Sequence, residues 1–144
     1  MSAMTNYLEN KLIDHLFRGQ SFTAPTGLHV GLHTADPTET GAVSEVSGNS
    51  YVRGALAPSL SNWKSTNGTT GSASSGTGGN TTNAATITFP TPTGAGWGVV
   101  THFSVWDAST GGNALVYGAL SASKTINSGD TVTAAVDAIS VTLA

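Results

Sequence analysis

The sequence predicts a mainly β fold, an antiparallel β-sandwich or jelly-roll-like barrel preceded by one N-terminal α-helix. Three observations support this prediction. One apolar stripe with helical spacing lies in the first eighteen residues, and short segments that alternate apolar and polar residues follow from residue 27 onward. Turns rich in Gly, Asn, Asp and Pro separate these segments. Because no second helical pattern follows, an all-β architecture is favoured over alternating α/β folds.

The predicted helix lies within residues 1–19. Asn6 is the expected N-cap, with Glu9 three residues later, and Gly19 is the expected C-terminal stop. The apolar stripe consists of Leu8, Leu12, Ile13, Leu16 and Phe17. A helix of about 12 residues is marginally stable alone, so this stripe must pack against something. It docks either on its own domain or on a neighbouring subunit, and its five residues are therefore the candidate subunit interface.

Residues 20–144 are expected to form a single β domain. Its predicted strands are residues 28–33, 50–56, 84–89, 98–106, 114–120, 131–136 and 138–143, with 57–63 extending or pairing with the second of them. Segment 98–106 (GVVTHFSVW) is apolar on much of both faces and is predicted to be central. Residues 65–83 carry no charge, and we expect a flexible excursion there, either a plain loop or an arm that orders against a neighbouring subunit.

The histidines of GLHVGLHTADP are the first candidates for a chemical site. His29 and His33 are four residues apart, and on a helix that spacing could bind one zinc ion. The alternation of Leu28, Val30 and Leu32 with polar residues predicts a strand instead. Four strand residues span about 13 Å, too far for two ligands of one ion. The two histidines are therefore expected on the outward face, and no metal site is predicted.

Other catalytic or cofactor patterns are absent from the sequence. No GxSxG-like elbow surrounds a serine, and the GTGG stretch is not preceded by a strand or followed by a helix. Asp107 and Asp130 lie in segments with turn composition, where an aspartate caps the turn through its own side chain. We therefore predict no catalytic, metal-binding or cofactor-binding residues, and no cofactor.

Composition narrows the classes of partner. Only 9% of the 144 residues are charged, against roughly 25% in ordinary domains, and 18 are glycine. Such a neutral surface suits a protein that packs against copies of itself, or one that works in extracellular conditions. With a net charge of −3 and no basic cluster, nucleic-acid binding is not expected. The sequence has no cysteine, so disulfides and thiolate sites are excluded.

Membrane insertion and secretion are not expected either. No stretch approaches the roughly 20 apolar residues of a membrane span. The N-terminal sequence MSAMTNYLENKL lacks the basic and apolar regions of a secretory signal, so we expect assembly in a cytoplasm.

Three tryptophans lie at the ends or edges of predicted strands. Trp63 and Trp97 are the candidates for sugar stacking, because sugar-binding modules often place aromatic rings there. In a domain of this size such residues are more often core or interface anchors. Glycan binding is therefore kept as an alternative.

Several segments, in order, resemble a family of small structural proteins of tailed bacteriophages, often described as tail fibre proteins. These segments are TNYLENKLIDHLFRGQ, LHVGLHTADP, EVSGNSYVR, ATITFP, WGVVTHFSVWDASTGGNALVYGAL and KTINSGDTV. The resemblance covers nearly the whole chain, with residues 65–83 least typical. It implies a virion component assembled in the bacterial host cytoplasm, not an enzyme, and it supplies no catalytic residues.

Within that family we expect a capsid decoration (cement) protein that binds the outer head and bridges capsomers. The expected partners are the major capsid protein and further copies of the chain, as a trimer or dimer. A short amphipathic helix and a neutral arm are suited to gripping neighbours in a lattice. The alternative is a short tail fibre or tail-associated module, and a glycan-binding domain used for host attachment is a third alternative.

Overall fold

A computed structural model describes residues 2–143, and these residues form one helix and nine strands in three antiparallel sheets. The elements are β1 (Ser2–Met4), α1 (Asn6–Phe17), β2 (His29–His33), β3 (Gly54–Ala55), β4 (Asn80–Thr82), β5 (Ile87–Thr88), β6 (Gly98–Trp106), β7 (Ala114–Ile126), β8 (Thr133–Ala134) and β9 (Ser140–Thr142). The predicted fold class, mainly β with one N-terminal helix, is confirmed.

The largest sheet has five strands in the order β1-β7-β6-β2-β3, and two ribbons, β4–β9 and β5–β8, accompany it. In β2, Val30 pairs with Val105 and Leu32 with Phe103, which places these four side chains on one face. This face packs against apolar residues of the ribbons, including Ile87. The core therefore lies between the sheet and the two ribbons.

The helix begins one residue earlier than predicted. Its N-cap is Thr5 and not Asn6, because the Thr5 hydroxyl accepts from the Leu8 amide at 3.4 Å. The same hydroxyl donates to the Ala114 carbonyl at 2.5 Å, so the cap also fastens the helix to β7. Gly19 follows the C-cap with a φ of +68°, as expected of a helix stop.

The strongest predicted strand has the predicted limits, since β6 spans Gly98–Trp106. Two strands were not predicted: β1 precedes the helix at the sheet edge, and β4 lies inside the predicted excursion 65–83. Next to β4, Asn83 is fully buried and accepts from the Ile139 amide at 2.8 Å. Residues 67–79 are exposed, so flexibility stays a prediction for that part of the excursion.

Candidate assembly surface and a buried polar cluster

The apolar stripe of α1 divides into a buried half and an exposed half. Leu8 belongs to the core, and Leu12 packs partly against it. The remaining three residues are 51%, 68% and 81% exposed: Ile13, Leu16 and Phe17. We call these three residues the helix patch. The start of the stripe therefore docks on its own domain, and its end is left uncovered in the single chain.

Polar groups border the helix patch. Glu9 is exposed within the first helical turn, and Arg18 pairs with Asp14 at 3.3 Å. An exposed apolar patch of a few hundred Å², rimmed by polar residues, is typical of a protein–protein or ligand contact. The helix patch is therefore a candidate assembly surface.

A second apolar surface lies beside the first turn of α1. It is a cleft of about 320 Å³ that combines buried residues of the sheet and β9 with exposed residues at its rim. The lining residues are Leu8, Leu28, Pro58, Ser59, Trp63, Thr81, Val105, Leu115, Val116, Val141 and Leu143. We call it the apolar cleft. Because only Ser59 and Thr81 bring polar side chains, it suits an apolar group better than a sugar or an ion.

The two tryptophans predicted as stacking residues lie in different environments. Trp97 is 5% exposed and packs edge-to-face against Tyr51, with ring centroids 5.1 Å apart. Its indole N–H donates to the Asn49 carbonyl at 3.1 Å. The prediction that Trp97 could stack on a sugar is therefore wrong, because its ring is part of the core. Trp63 is half-buried and lines the apolar cleft.

The sequence predicted that His33 lies on an open outward face, and this prediction is wrong. His33 is in strand β2 as predicted, but it is fully buried because segment 34–53 covers that side of the sheet. Its Nδ1 donates to the Val43 carbonyl at 2.8 Å, and its Nε2 accepts from the Ser104 hydroxyl at 2.6 Å. Both ring nitrogens are therefore occupied. His29, on the same face, is half-buried, and its Nδ1 has no hydrogen-bond partner.

An ion pair lies on the same covered face. Arg53 donates from Nε and Nη2 to the two carboxylate oxygens of Glu45, at 2.7 and 2.8 Å. Its Nη1 donates to the carbonyls of Ala108 and Gly111, at 3.0 and 2.8 Å. The guanidinium also lies 3.6 Å from the centroid of the Trp106 ring.

These residues form two hydrogen-bonded sets that meet where the Arg53 guanidinium lies over the Trp106 ring. We call them together the buried polar cluster: His33, Glu45, Tyr51, Arg53, Ser104 and Trp106. The Trp106 indole donates to the Ser104 hydroxyl at 2.6 Å, and the Tyr51 hydroxyl donates to Glu45 at 3.1 Å. Burial raises the pKa of the Tyr51 hydroxyl well above its usual value, so the hydroxyl remains a donor.

Ser104 and His33 have the geometry of a nucleophile and its base, but the surroundings do not suit catalysis. Both residues are 0% exposed, so a substrate cannot reach the serine hydroxyl. The group that orients the imidazole is the Val43 carbonyl and not a carboxylate. Burial lowers the pKa of His33 and outweighs the raising effects of Val43 and Glu45, so the ring is neutral. The pair is therefore a structural hydrogen bond.

Among the described residues, no group of three or more His, Asp or Glu side chains is arranged to hold a metal ion. Between residues 2 and 143 there is also no helix with the length and apolar character needed to cross a membrane.

The buried polar cluster was not predicted, although the sequence contains one signal of it. Arg53 is a lone charge inside a predicted strand, and Glu45 lies eight residues before it in a chain with few charges. A charged residue within an apolar strand segment is seldom buried without a partner. What the sequence could not reveal is that residues 108–111 return to cap the same guanidinium.

No curated protein matches the chain. The model of one protein family, described as Podophage GP4 fiber I protein gp80, matches residues 3–142. This match confirms the resemblance to phage structural proteins and covers both the helix patch and the buried polar cluster. The chain therefore belongs to the family of the podophage GP4 fiber I protein gp80, a family of fibre-type structural proteins of the phage particle.

Proposed function

We propose that the chain is a non-enzymatic, fibre-type module of the virion that assembles with further copies of itself through the helix patch. The observation that carries this proposal is the exposure of Leu16 and Phe17, at 68% and 81%, on a helix whose first half is docked. A 12-residue helix gains little from ordering such side chains in water. A protein with 9% charged residues also lacks the charged surface that usually keeps monomers apart.

The burial of the Ser104–His33 pair supports a structural role. The one serine–histidine pair of suitable geometry is fully buried. The polar groups of the buried cluster are used to join segments of the fold, as in the contacts of Arg53 with Ala108 and Gly111.

Capsid decoration is the second candidate. The observation that favours it is that residues 2–143 form a domain without the internal repeats of an extended shaft. In that case the helix patch would contact the major capsid protein or bridge neighbouring copies on the head. The fibre description of the family favours the first candidate.

The position in the particle is tested by quantitative mass spectrometry of purified virions, combined with immunogold labelling. For a fibre-type module we expect a few dozen copies or fewer, with label at the tail or at discrete appendages. Hundreds of copies, with label spread over the head, would instead establish the decoration role. Absence from purified particles would contradict both.

The helix patch is tested by the double substitution L16D/F17D. We expect the oligomer to dissociate, because two carboxylates in an apolar interface are desolvated without partners. Light scattering coupled to size exclusion gives the mass, and circular dichroism shows that the fold is retained. The matched control is V99D. Val99 is 50% exposed and lies about 20 Å along β6 from Val105, at the end away from α1. If both variants keep the wild-type mass, the helix patch is not an assembly surface.

A further inference from the structure

We propose that residues 34–47 form a strap that opens as a unit while the sheets stay folded, and that Glu45 latches this strap shut. The strap leaves the end of β2 and returns toward β3 over the side of the sheet that carries His33. Opening is a property of the single chain and is independent of the proposed self-assembly.

The strap contributes little to the hydrophobic core. Pro37, Gly41 and Val46 are buried, but most of its other residues are exposed, and Val46 is its member of the core cluster. Its middle touches the start of α1, where the Asn6 amide donates to the Glu39 carbonyl at 3.0 Å. A segment with few buried apolar contacts is typical of the parts of a protein that open locally.

Backbone hydrogen bonds join the two limbs of the strap to the end of β2. The Val46 amide donates to the Leu32 carbonyl at 2.9 Å, and the Thr34 amide donates to the Ser44 carbonyl at 3.0 Å. Both bonds must break when the strap lifts away. The amides of Val46 and Thr34 therefore report its opening.

Glu45 is the latch because it binds the strap to residues that are fixed by other contacts. Its carboxylate accepts from Arg53 at 2.7 and 2.8 Å and from the Tyr51 hydroxyl at 3.1 Å. Arg53 is also held by carbonyls of residues 108–111, and the Tyr51 ring packs edge-to-face against Trp97. These partners keep their positions when Glu45 leaves.

A hinge at residues 48–50 ends the moving part of the chain. Gly48, Asn49 and Ser50 have φ values of +72°, +48° and +64°, so three consecutive residues are left-handed. The Asn49 side chain donates to the Gly96 carbonyl at 2.8 Å, and its own carbonyl accepts from the Thr93 amide at 3.0 Å. Because Asn49 is anchored in this way, motion is limited to the residues before it.

The closed strap carries backbone strain that opening would release. Thr38 and Ser44 have φ values of +60° and +58°, in the left-handed region that favours glycine. Such conformations persist only where the surrounding contacts impose them. The latch therefore holds the strap closed against its own strain.

Opening would uncover groups that the closed chain hides. His33 would lose the Val43 carbonyl that its Nδ1 contacts, and the edge of β2 at Leu32 and Thr34 would lose its partners. An unpaired strand edge is a surface on which another strand can pair. The strap thus determines whether this edge of the five-stranded sheet is available.

The test is native-state hydrogen exchange of the whole chain, followed by NMR at low urea concentrations. The amides of Val46 and Thr34 report the strap, and the amides of β6 report the sheet. We expect the strap amides to exchange at least about tenfold faster than the most protected β6 amides. We also expect a weaker dependence on urea, because opening the strap exposes less surface than unfolding the domain.

Three variants separate opening from global unfolding. Glu45→Gln removes the charge of the latch and should speed exchange of the strap amides by on the order of tenfold. Ser44→Gly removes a strained residue and should slow their exchange. Ile139→Val is the matched control, because Ile139 is 2% exposed in the core and stays packed when the strap opens. It should speed exchange of the β6 amides and leave the strap amides at the wild-type rate.

Equal exchange of the strap and β6 amides, with both accelerated equally by I139V, would overturn the proposal, because the strap would then open only when the whole domain unfolds. Unchanged exchange of the strap amides in E45Q would show that Glu45 is not the latch. Exchange in S44G at the wild-type rate or faster would show that the closed strap is not strained.

Discussion

The two faces of the central sheet are both covered, but by opposite kinds of chemistry. Strand β2 shows this most directly, because Val30 and Leu32 lie in the apolar core while His33, one residue further, lies in a polar environment. Both kinds of residue are buried: Val30 and His33 are each 0% exposed. A strand with alternating apolar and polar residues does not therefore require one face to be in water.

The difference between the faces lies in how each tolerates change. The apolar face is stabilised by the removal of apolar surface from water. This hydrophobic contribution is non-directional, so the side chains of that face can repack after a substitution. In the buried polar cluster, donors are matched to acceptors, as in the chain from Trp106 through Ser104 to His33. A hydrogen-bonded group of this kind is favourable when complete, and losing one member leaves the others buried without partners.

The largest loss of stability is expected from Arg53→Met, a substitution on the polar face. Glu45 would remain largely buried without its cation, and the carbonyls of Ala108 and Gly111 would lose their donor. We expect the free energy of unfolding in urea to fall by about 3–5 kcal/mol.

The double variant E45L/R53M is the control for this prediction. It removes both charges, so we expect it to recover at least half of the loss. If the single variant loses less than about 1 kcal/mol, the ion pair is not a principal contact between segment 34–53 and the sheet.

Much of the fold follows from residue patterns that act locally. The helix stripe, the turn residues and the run GVVTHFSVW lead to α1 and β6 because periodicity and sterics decide those elements. The cap at Thr5 was missed because the choice between Thr5 and Asn6 depends on β7, whose Ala114 carbonyl receives the threonine hydroxyl. Strand β1 was missed for the same reason, since three residues form a strand only where β7 offers an edge.

The candidate site was predictable in part. The five stripe residues were identified, but which of them remain uncovered depends on where the helix docks. The apolar cleft was not predictable, because its walls come from segments as distant as Leu28, Trp63 and Leu143. The burial of His33 depends on the path of segment 34–53, and no periodicity within the strand encodes that path.

A smaller effect is expected from Gly31→Ala, which tests how closely the polar face is packed. A Cβ at Gly31 would lie 2.8 Å from the Ser104 hydroxyl oxygen and 3.0 Å from a Glu45 carboxylate oxygen. Both neighbours are fixed by hydrogen bonds, so we expect a loss of about 1–3 kcal/mol in urea unfolding and a shifted resonance of the Trp106 indole N–H in NMR spectra.

Gly54→Ala is the counterpart on the apolar face, where a Cβ would meet Ile87 and Phe89. Its destabilisation is expected to leave the Trp106 signal unchanged. If both variants alter that signal equally, the two faces are not packed independently.

The smallest expected change in stability is the one that pH causes through His33. Burial lowers its pKa below the value of an unfolded histidine, about 6.5, so the native state holds the ring neutral. As pH falls below that value the unfolded chain binds the proton first. Stability is therefore fully present above about pH 6.5 and declines as pH falls toward the native pKa. Protonation also removes the acceptor of the Ser104 hydroxyl, so the loss is expected to be on the order of 1 kcal/mol.

The measurement is urea unfolding at pH 7.5 and pH 5, with H33Q as the comparison. The glutamine variant is expected to be less stable at the higher pH but keeps the other three histidines, so the difference between the two proteins isolates His33. We expect wild type to lose more stability than H33Q between the two pH values. An equal loss in both proteins would mean that His33 takes up its proton without disturbing the hydrogen bonds that distinguish this face of the sheet from the core.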